Sequence, residues 1–584
     1  MAASRDDTRF VTWFGPAAQR LFGALDIPPD GQCRGAVVLC PPIGKEHVDA
    51  YRGVALLARK LREHGFMVLR FDYPGVGDST GAPDAADAVE RWLDSVATAV
   101  DYVRAAGAPT VTLVGLRVGG LIAAHVANRC GGLAAVVLWD PVTRGRNFLR
   151  RQSALYQMSV GVDEPSDPRI SVIGAVLAPR AAAQLSALDL RSAELSGVGR
   201  VLVATRRADH GSAAIRDLVE QWDADDMALD DHDLFLEPED FLVRMPVPDI
   251  GAIAGWIDGA IGLDRCRVHP ILCTEAEVGR TADGRAIVES LLFLGEHRLF
   301  AIRTAAEGTQ TGGPTLILYG TASEHRVGPV RMWVELSRDI AESGVVAYRF
   351  DRRGTGETGV VADDERTTIY TPESRQDAIS IVDSVGAPAE SVVLAGMCSG
   401  AWNSSYAALH RKVRAVVLVN MADWAIARNS FVKRSTMATD TWSGSGRVFD
   451  AMHRHAPAIK NRLRTVLPYR GWLVLGRFGL LQVPEIMLRP LWKRGVRTKV
   501  LLSPNDHEFF ETNRGEESVR RLQRDGWDGR IVRYRTGDHS LYSRDLRKMV
   551  RADIVRAVVD AIGPVATPAH ASVSAAVPDG VGAQ

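Results

Sequence analysis

The sequence predicts an α/β protein in which two tandem copies of one domain each form a mostly parallel, doubly wound sheet. Three observations indicate this fold: an internal repeat, an alternation of short apolar runs with amphipathic stretches, and the near-continuous apolarity of those runs. Alternating strands and helices are typical of parallel sheets with helices on both faces. Strands covered on both faces lack the regular polar positions of a half-exposed strand. The 584 residues suffice for two such domains.

The repeat is clearest around a shared RFD motif. VLRFDYPGVGD at 68–78 matches AYRFDRRGTGE at 347–357, an offset of 279 residues. Further along, VTLVGLRVGG at 111–120 matches VVLAGMCSGA at 392–401, an offset of 281 residues. Because the spacing between the two motifs is almost the same in both copies, duplication of one ancestral domain is the simplest explanation.

Each copy supplies its own set of apolar, strand-like runs. In the first copy the predicted strands are 36–40, 67–71, 111–115, 135–139 and 200–204. In the second copy they are 315–319, 346–350, 392–396, 415–419, 499–503 and 531–535. An amphipathic helix at 250–261 is predicted to close the first copy, which places the domains at 1–265 and 266–563. The tail, 564–584, is rich in Ala, Val, Pro and Gly without periodicity, and we expect it to be disordered.

Composition excludes several functions. Lys and Arg total 70 and so do Asp and Glu, and a chain without net charge is not expected to bind nucleic acid. None of the six cysteines forms a C-x-x-C pair, and we expect no metal site. The charged N-terminus does not resemble a signal peptide, and no long apolar run indicates membrane insertion. These features predict a cytoplasmic protein, monomeric or homodimeric.

The most informative segment is GMCSG at 396–400, between a predicted strand and a predicted helix. This is the context of a nucleophile elbow, in which flanking glycines let strand and helix pass closely. A thiol at Cys398 would lie at a helix N-terminus, whose dipole favours a thiolate. Elsewhere a buried cysteine is more often a small core residue. Assigning Cys398 as a nucleophile therefore requires that the chain also supply an acid and a base at matching positions.

At this point the chain resembles the α/β-hydrolase superfamily over nearly its whole length. Asp506 follows the strand at 499–503, where that family carries its acid, and His539 follows the last strand, where the family carries its base. The resemblance implies that Cys398 is the nucleophile, that His539 is general base and acid, and that Asp506 orients the imidazole. As an alternative, Asp506 is a turn residue and Glu508 is the acid.

The resemblance also implies an oxyanion hole. Its donors would be the backbone N–H of Ser399 and an N–H from the loop after the strand at 315–319, for which Thr321 is the candidate.

A narrower resemblance involves the same loop. HRVGP at 325–329 and the RFD-x-x-G-x-G after it are similar to the bacterial hydrolases called exosortase-A-system-associated, and GLRVGG in the first copy is similar to their second type. His325 and Arg326 are therefore candidates for binding substrate or carrier. A capping or surface role is the alternative for His325.

The first copy carries arginine where the second carries cysteine. GLRVG at 115–119 places Arg117 at the elbow, and arginine keeps its proton in proteins. Its histidines, His210 and His232, are badly placed for a base. We therefore expect a non-catalytic partner domain in which Arg117 bridges acidic residues or binds an anion.

A cysteine nucleophile favours thioesters. In attack on an oxyester the thiolate is the better leaving group, and the intermediate returns to substrate unless the alcohol is activated. Attack on a thioester exchanges two similar leaving groups, and the acyl-cysteine stays reactive towards amines and alcohols. The sequence therefore predicts acyl transfer from acyl carrier protein or CoA, through acyl-Cys398, to an amine, an alcohol or water.

The pathway expected for this reaction is biosynthetic, making a secondary metabolite or modifying a polysaccharide. No cofactor is expected beyond the phosphopantetheine that a substrate carries. Two alternatives stay open: a hydrolase of activated esters or lactones of the dienelactone-hydrolase type, and a non-catalytic scaffold.

An insertion at 424–497 is predicted to be a helical cap over the site. It holds 14 lysines and arginines against three acids, and Arg462 and Arg464 are candidates for docking an acidic carrier. Alternatively, the cap pairs with the acidic stretch 205–249, which holds 13 acids against four basic residues.

Overall fold

The computed structural model describes residues 8–161, 167–236, 243–310, 312–322, 324–359, 370–426 and 467–563. The expected tail at 564–584 lies outside them. So does most of the expected cap, including Arg462 and Arg464. Within the described residues each copy of the repeat forms its own large sheet.

The first domain is built on an eight-stranded sheet of order β1-β2-β5-β4-β6-β7-β10-β11. Its strands are β1 Arg9–Phe14, β2 Leu21–Asp26, β4 Ala36–Cys40, β5 Met67–Phe71, β6 Val111–Leu116, β7 Ala135–Trp139, β10 Arg200–Arg206 and β11 Asp225–Leu229. From β5 to β11 all neighbours pair parallel, whereas β1, β2 and β5 pair antiparallel. Two small ribbons join β8 Ile170–Val172 to β9 Ala175–Leu177, and β3 Gln32–Cys33 to β12 Cys266–Arg267.

The second domain repeats this plan in nine strands of order β13-β14-β15-β17-β16-β18-β19-β20-β21. They are β13 Glu275–Arg280, β14 Ala286–Leu294, β15 Leu299–Ala306, β16 Thr315–Tyr319, β17 Val346–Phe350, β18 Val392–Met397, β19 Ala415–Val419, β20 Arg497–Leu502 and β21 Arg530–Arg533. All the strands predicted from apolar runs are present, so the two-copy, mostly parallel fold is confirmed.

Helices cover both faces of each sheet. In the first domain they are α1 Lys45–Glu63, α2 Ala88–Ala105, α3 Val118–Cys130, α4 Gly145–Ser159, α5 Pro179–Ala187, α6 Ala213–Trp222, α7 Asp233–Leu236 and α8 Val247–Ala260. In the second they are α9 Met332–Ala341, α10 Pro372–Ser384, α11 Ser399–His410, α12 Tyr469–Arg477, α13 Pro484–Lys493, α14 Pro504–Thr512, α15 Gly515–Arg524 and α16 Arg544–Ile562. One core lies under α1 and α8 and another under α2 and α3. In the second domain α9 and α16 share one face, opposite α10 and α11.

The two domains meet through equivalent elements. Phe22 of β2 and Phe300 of β15 lie 6.0 Å apart between ring centroids. Arg70 donates to both oxygens of Glu357, at 2.8 and 2.6 Å. Reciprocally, Arg349 pairs with Asp78. Because Arg349 and Glu357 are the repeat equivalents of Arg70 and Asp78, the copies face each other as two subunits of a twofold dimer do.

Among the helices of the described residues, none combines the length and the hydrophobicity that a bilayer-spanning segment needs.

Candidate active site

Cys398 lies at the turn between β18 and α11, as the elbow pattern predicts. Its backbone has φ 51° and ψ −116°, a conformation that costs a non-glycine residue about 1–3 kcal/mol. The turn is held because the Cys398 N–H donates to the Val419 carbonyl at 2.9 Å. A strained, tightly held turn at the end of a strand is the backbone geometry that exposes a nucleophile.

The glycines of the elbow have the steric role that the motif implies. A Cβ on Gly396 would lie 2.4 Å from the carbonyl carbon of Gly400, and a Cβ on Gly400 would lie 2.5 Å from the Tyr319 carbonyl oxygen. Neither position can carry a side chain without moving α11 away from the sheet.

His539 and Asp506 come together at the same end of the sheet. The Asp506 carboxylate is buried at the start of α14, and its Oδ1 lies 2.7 Å from His539 Nδ1. The Cys398 side chain lies close enough to influence the charge of this ring. Glu508, the alternative acid, is exposed. The structure thus brings Cys398, His539 and Asp506 together, with a hydrogen bond between His539 and Asp506 and the Cys398 side chain close enough to act on the imidazole.

The electrostatics of His539 follow from these neighbours. Burial lowers the pKa of His539, but the hydrogen bonds to Asp506 and Cys398 and their negative charges outweigh burial and raise the pKa to about 10. The imidazole therefore carries a proton at neutral pH when it faces a thiolate.

Two further residues position the acid and the base and were not predicted. Asn420 follows β19 at φ 44°; its Nδ2 donates to the His539 carbonyl at 2.7 Å, and its Oδ1 accepts from the Ser503 N–H at 2.8 Å. The Ser503 hydroxyl donates to Asp506 Oδ2. Asn420 therefore ties the loop of the base to the loop of the acid. The sequence signal was its position at a strand end, opposite Asp140 of the first copy.

The loop after β16 faces the elbow, where the second oxyanion donor was expected. The Ala322 N–H donates to the Ser399 hydroxyl at 2.9 Å, and Thr321 Oγ1 lies 3.4 Å from the same oxygen. The Ala322 N–H is thereby engaged. Thr321 and Ser399 are buried residues that line the cavity described next, and their N–H groups stay the candidates for the oxyanion hole.

A cavity of about 1440 Å³ lies over Cys398 and His539, and both domains line it. The first domain contributes Lys45 and Asp49 of α1 and the hairpin β8–β9. Glu324 also faces this cavity, with its Oε2 buried and unpartnered among the described residues. Burial, and then the charge of Asp49, raise the pKa of Glu324 to about 8 despite Lys45 and His539. At neutral pH Glu324 therefore offers an O–H donor.

His325 and Arg326 lie elsewhere, and their expected role in binding substrate or carrier needs correction. The His325 ring is buried against Tyr51 of the first domain, 4.0 Å between centroids. Arg326 is fully buried, with Nε 2.8 Å from Asp78 and NH1 2.6 Å from Asp351. Neither lines the cavity. Both are buried at the junction of the domains because their partners come from both copies.

The elbow of the first domain has the same backbone but a different side chain. Arg117 has φ 56° and ψ −119°, matching Cys398. Its Nε lies 3.4 Å from Glu46, and its NH1 lies 3.2 Å from Asp140, which also pairs with Arg206 at 2.7 Å. The sequence predicts that Arg117 either bridges acidic residues or binds an anion. The observed contacts are those of a bridge between acidic residues.

His232 differs from expectation. It follows β11, the strand equivalent to β21, and so occupies the position in the first domain that His539 occupies in the second. Its Nδ1 lies 3.7 Å from Asp140 Oδ2. The sequence does not reveal this position because the edge strand β11 begins with two exposed aspartates and resembles a loop.

Arg117→Ala should destabilise the protein but spare its chemistry. Removing the guanidinium leaves Glu46 and part of Asp140 buried without their partner, at a cost of about 3–5 kcal/mol. Turnover per folded molecule should stay near wild type, because Arg117 lies outside the cavity. Urea unfolding and turnover would be measured beside Arg129→Ala, whose exposed pair with Asp94 should contribute under about 1 kcal/mol. A large loss of turnover in Arg117→Ala would show that the first elbow takes part in catalysis.

Both halves of the chain match models of hydrolase families, and the chain is a tandem of two α/β-hydrolase domains. Residues 31–175 match the model described as serine aminopeptidase, S33. Residues 320–552 match the model described as alpha/beta hydrolase family. These families imply an enzyme of the hydrolase or esterase kind, and they support hydrolysis or acyl transfer in general.

Solved structures similar to one domain include Est1E from Butyrivibrio proteoclasticus, at 15% identity over 43% of this chain and 98% of that one, with TM-score 0.34. A soluble variant of monoglyceride lipase from Saccharomyces cerevisiae is 15% identical over 45% and 100%, with TM-score 0.32. XC6422 from Xanthomonas campestris is 20% identical over 44% and 97%, with TM-score 0.28. No curated protein matches the sequence.

Proposed function

We propose that the protein catalyses cysteine-dependent acyl transfer from a thioester of CoA or an acyl carrier protein. The observation that carries this proposal is the row Cys398–His539–Asp506 at a strained elbow that opens into a large cavity. Ordinary oxyesters suit a serine nucleophile, whereas a thiolate exchanges readily with the thiolate of a thioester.

In the proposed mechanism the Cys398 thiolate attacks the thioester carbonyl. The N–H groups of Ser399 and Thr321 stabilise the tetrahedral oxyanion. As the intermediate collapses, the carbon–sulfur bond to the donor breaks, and protonated His539 gives its proton to the departing thiolate. His539 then takes a proton from an amine, an alcohol or water, which attacks acyl-Cys398 and regenerates the thiolate. Asp506 keeps the imidazole ring of His539 in the same orientation throughout both steps.

The cavity agrees with an extended donor. Its volume of about 1440 Å³ exceeds the roughly 300–1,000 Å³ usual for sites that take one small molecule. A phosphopantetheine arm together with its acyl chain needs a site larger than one small molecule does. We therefore propose that the donor is CoA or an acidic carrier protein, and that the reaction belongs to a biosynthetic pathway.

Intact-protein mass spectrometry after exposure to acyl-CoA, and separately to a matched aryl ester and a lactone, tests the proposal. We expect a mass gain equal to the acyl group with the thioester, absent in Cys398→Ala. Faster acylation by the aryl ester or lactone would instead identify a hydrolase of activated esters. Absence of acylation by all three, with a Cys398 that thiol probes do not label, would indicate a scaffold.

Asp506→Asn should lower turnover by roughly two to four orders of magnitude, less than loss of the nucleophile, because Asp506 positions and does not react. The pKa of His539, now about 10, should fall when the carboxylate charge is lost. Protonated His539 is the donor to the leaving thiolate. The basic limb of the rate profile should therefore move to lower pH.

The matched control for this prediction is the alternative acid. Glu508→Gln should leave both rate and pH profile unchanged, since Glu508 is exposed. A profile that shifts in Glu508→Gln and not in Asp506→Asn would reverse the assignment.

A further inference from the structure

Arg547 is a half-buried cation that lines the cavity and has no carboxylate partner among the described residues. It lies on α16, and its NH1 donates to the carbonyl oxygens of Leu541 and Tyr542, at 2.7 and 3.1 Å. In the described part of the chain its Nε and NH2 make no hydrogen bond, and no carboxylate lies within ion-pair distance of it. The NH1 group is thus fixed by the backbone, and the Nε–NH2 edge of the guanidinium is available to a ligand.

The neighbouring arginines of α16 differ from it. Arg544 lies 3.0 Å from Asp167, and Arg551 lies 3.0 Å from Asp339 and also pairs with Glu335. The next residue in the sequence, Lys548, also lines the cavity and has no ion pair among the described residues. The cavity wall therefore holds two adjacent positive charges with no ion-pair partner in the part of the chain that the structure describes.

The acids around Arg547 are already engaged. Glu335 pairs with Arg551, and Asp538 accepts the N–H groups of Tyr542 and Ser543. The remaining groups whose charge acts on Arg547 are Tyr156 and Arg551. Burial is the main influence on Arg547, and it lowers the pKa of the guanidinium. A half-buried charge without a counterion is unfavourable, and an oxyanion from a ligand would reduce that cost.

We propose that Arg547 is an anion-binding residue of the cavity, so that the preferred acyl donors carry a phosphate or carboxylate group that its Nε–NH2 edge binds. A guanidinium with one edge held by carbonyls presents a preoriented pair of donors, the geometry that suits both anions. Lys548 adds attraction at the same wall. The link to acyl donors rests on the proposed function; the anion site itself rests on Arg547 alone.

Two matched ligand pairs test the site by calorimetry on the full-length protein, without turnover. 4′-Phosphopantetheine and pantetheine differ by a phosphate, and glutarate and glutaramide differ by carboxylates. We expect wild type to bind the anionic member of one pair at least tenfold more tightly, and Arg547→Gln to lose that preference. Arg547→Lys should keep part of it. Arg556→Gln, on the exposed side of the same helix, should keep all of it.

The pair that shows the preference identifies the source of the anion, either the carrier arm or the acyl chain. The inference is overturned if wild type binds both members of each pair equally, or if Arg547→Gln, verified as folded by its thermal melt, keeps the preference. Should Arg547→Gln not fold, undiminished preference in Arg547→Lys counts against the bidentate role. A clear anion preference in a protein that no thioester acylates would leave the site standing and reject the proposed function.

Discussion

Cys398→Ala is expected to abolish acyl transfer, with a loss of at least about three orders of magnitude, and to leave the free energy of unfolding almost unchanged. Removal of the nucleophile eliminates the covalent step, and only binding and oxyanion stabilisation remain. Alanine keeps a Cβ, so the strain at φ 51° is the same in both proteins. The loss can therefore be assigned to the thiol and not to the backbone.

The measurement is thioester turnover together with urea unfolding. Cys266→Ala is the matched control, since Cys266 is an exposed free thiol remote from the cavity. Its turnover should equal that of wild type. Near-normal turnover in Cys398→Ala would show that another group is the nucleophile, and the whole assignment of base and acid would fall with it.

The parallel strands of both sheets could be predicted from the sequence because their signal is local. Strands β6 and β18 are buried on both faces; β18 is apolar throughout, and Thr112 is the one polar residue of β6. The antiparallel strands β1, β2 and β13–β15 lie at one side of each sheet and mix polar with apolar residues. The edge strand β11 begins with two exposed aspartates, so its sequence resembles a loop.

That Cys398, His539 and Asp506 lie close together could be predicted, because each lies shortly after a strand whose place in the order the sequence shows. Asn420 also follows a strand, but its function depends on two loops that meet only in the folded protein. The same holds for Arg547: many arginines occur in this chain, and only the three-dimensional arrangement shows that this one lines the cavity without a carboxylate partner among the described residues. His325 and Arg326 were misplaced because the sequence does not reveal which loops the other domain covers.

The acidic stretch 205–249 also shows the limit of charge counting. Its Asp225 and Asp230 pair with Arg200 and Arg207 of the same domain. The net charge of a segment predicts attraction to a segment of opposite charge. Ion pairs within one domain can neutralise acidic residues before such an attraction acts.

Glu357→Gln should destabilise the protein by about 3–5 kcal/mol, because it breaks a buried ion pair between the domains. Glu357 accepts two hydrogen bonds from Arg70 and one from the Tyr51 hydroxyl, and both charged side chains are at most 6% exposed. Glutamine keeps the shape but leaves the buried Arg70 guanidinium with only the more distant Asp26, whose Oδ2 lies 3.8 Å from its NH2. Since the cavity is lined by both domains, turnover should fall as well when the junction loosens.

The pH dependence of stability gives this prediction a second readout. Despite burial, the charge and hydrogen bonds of Arg70 hold the pKa of Glu357 well below its ordinary value. A carboxylate with a lowered pKa stabilises the fold above its unfolded-state pKa of about 4.3, and this contribution is lost as pH falls below that value. Wild type should therefore lose stability below about pH 4.5 more steeply than Glu357→Gln does.

Urea unfolding at pH 7 and pH 4 measures both effects, with Glu342→Gln as the exposed control. Asp78→Asn should behave like Glu357→Gln, because Asp78 is its repeat equivalent and holds Arg326 and Arg349 from the other side of the junction. A cost under about 1 kcal/mol in both variants would match an exposed pair. It would mean that the junction of the two domains does not depend on their reciprocal ion pairs and is held by its other contacts, such as the packing of Phe22 on Phe300.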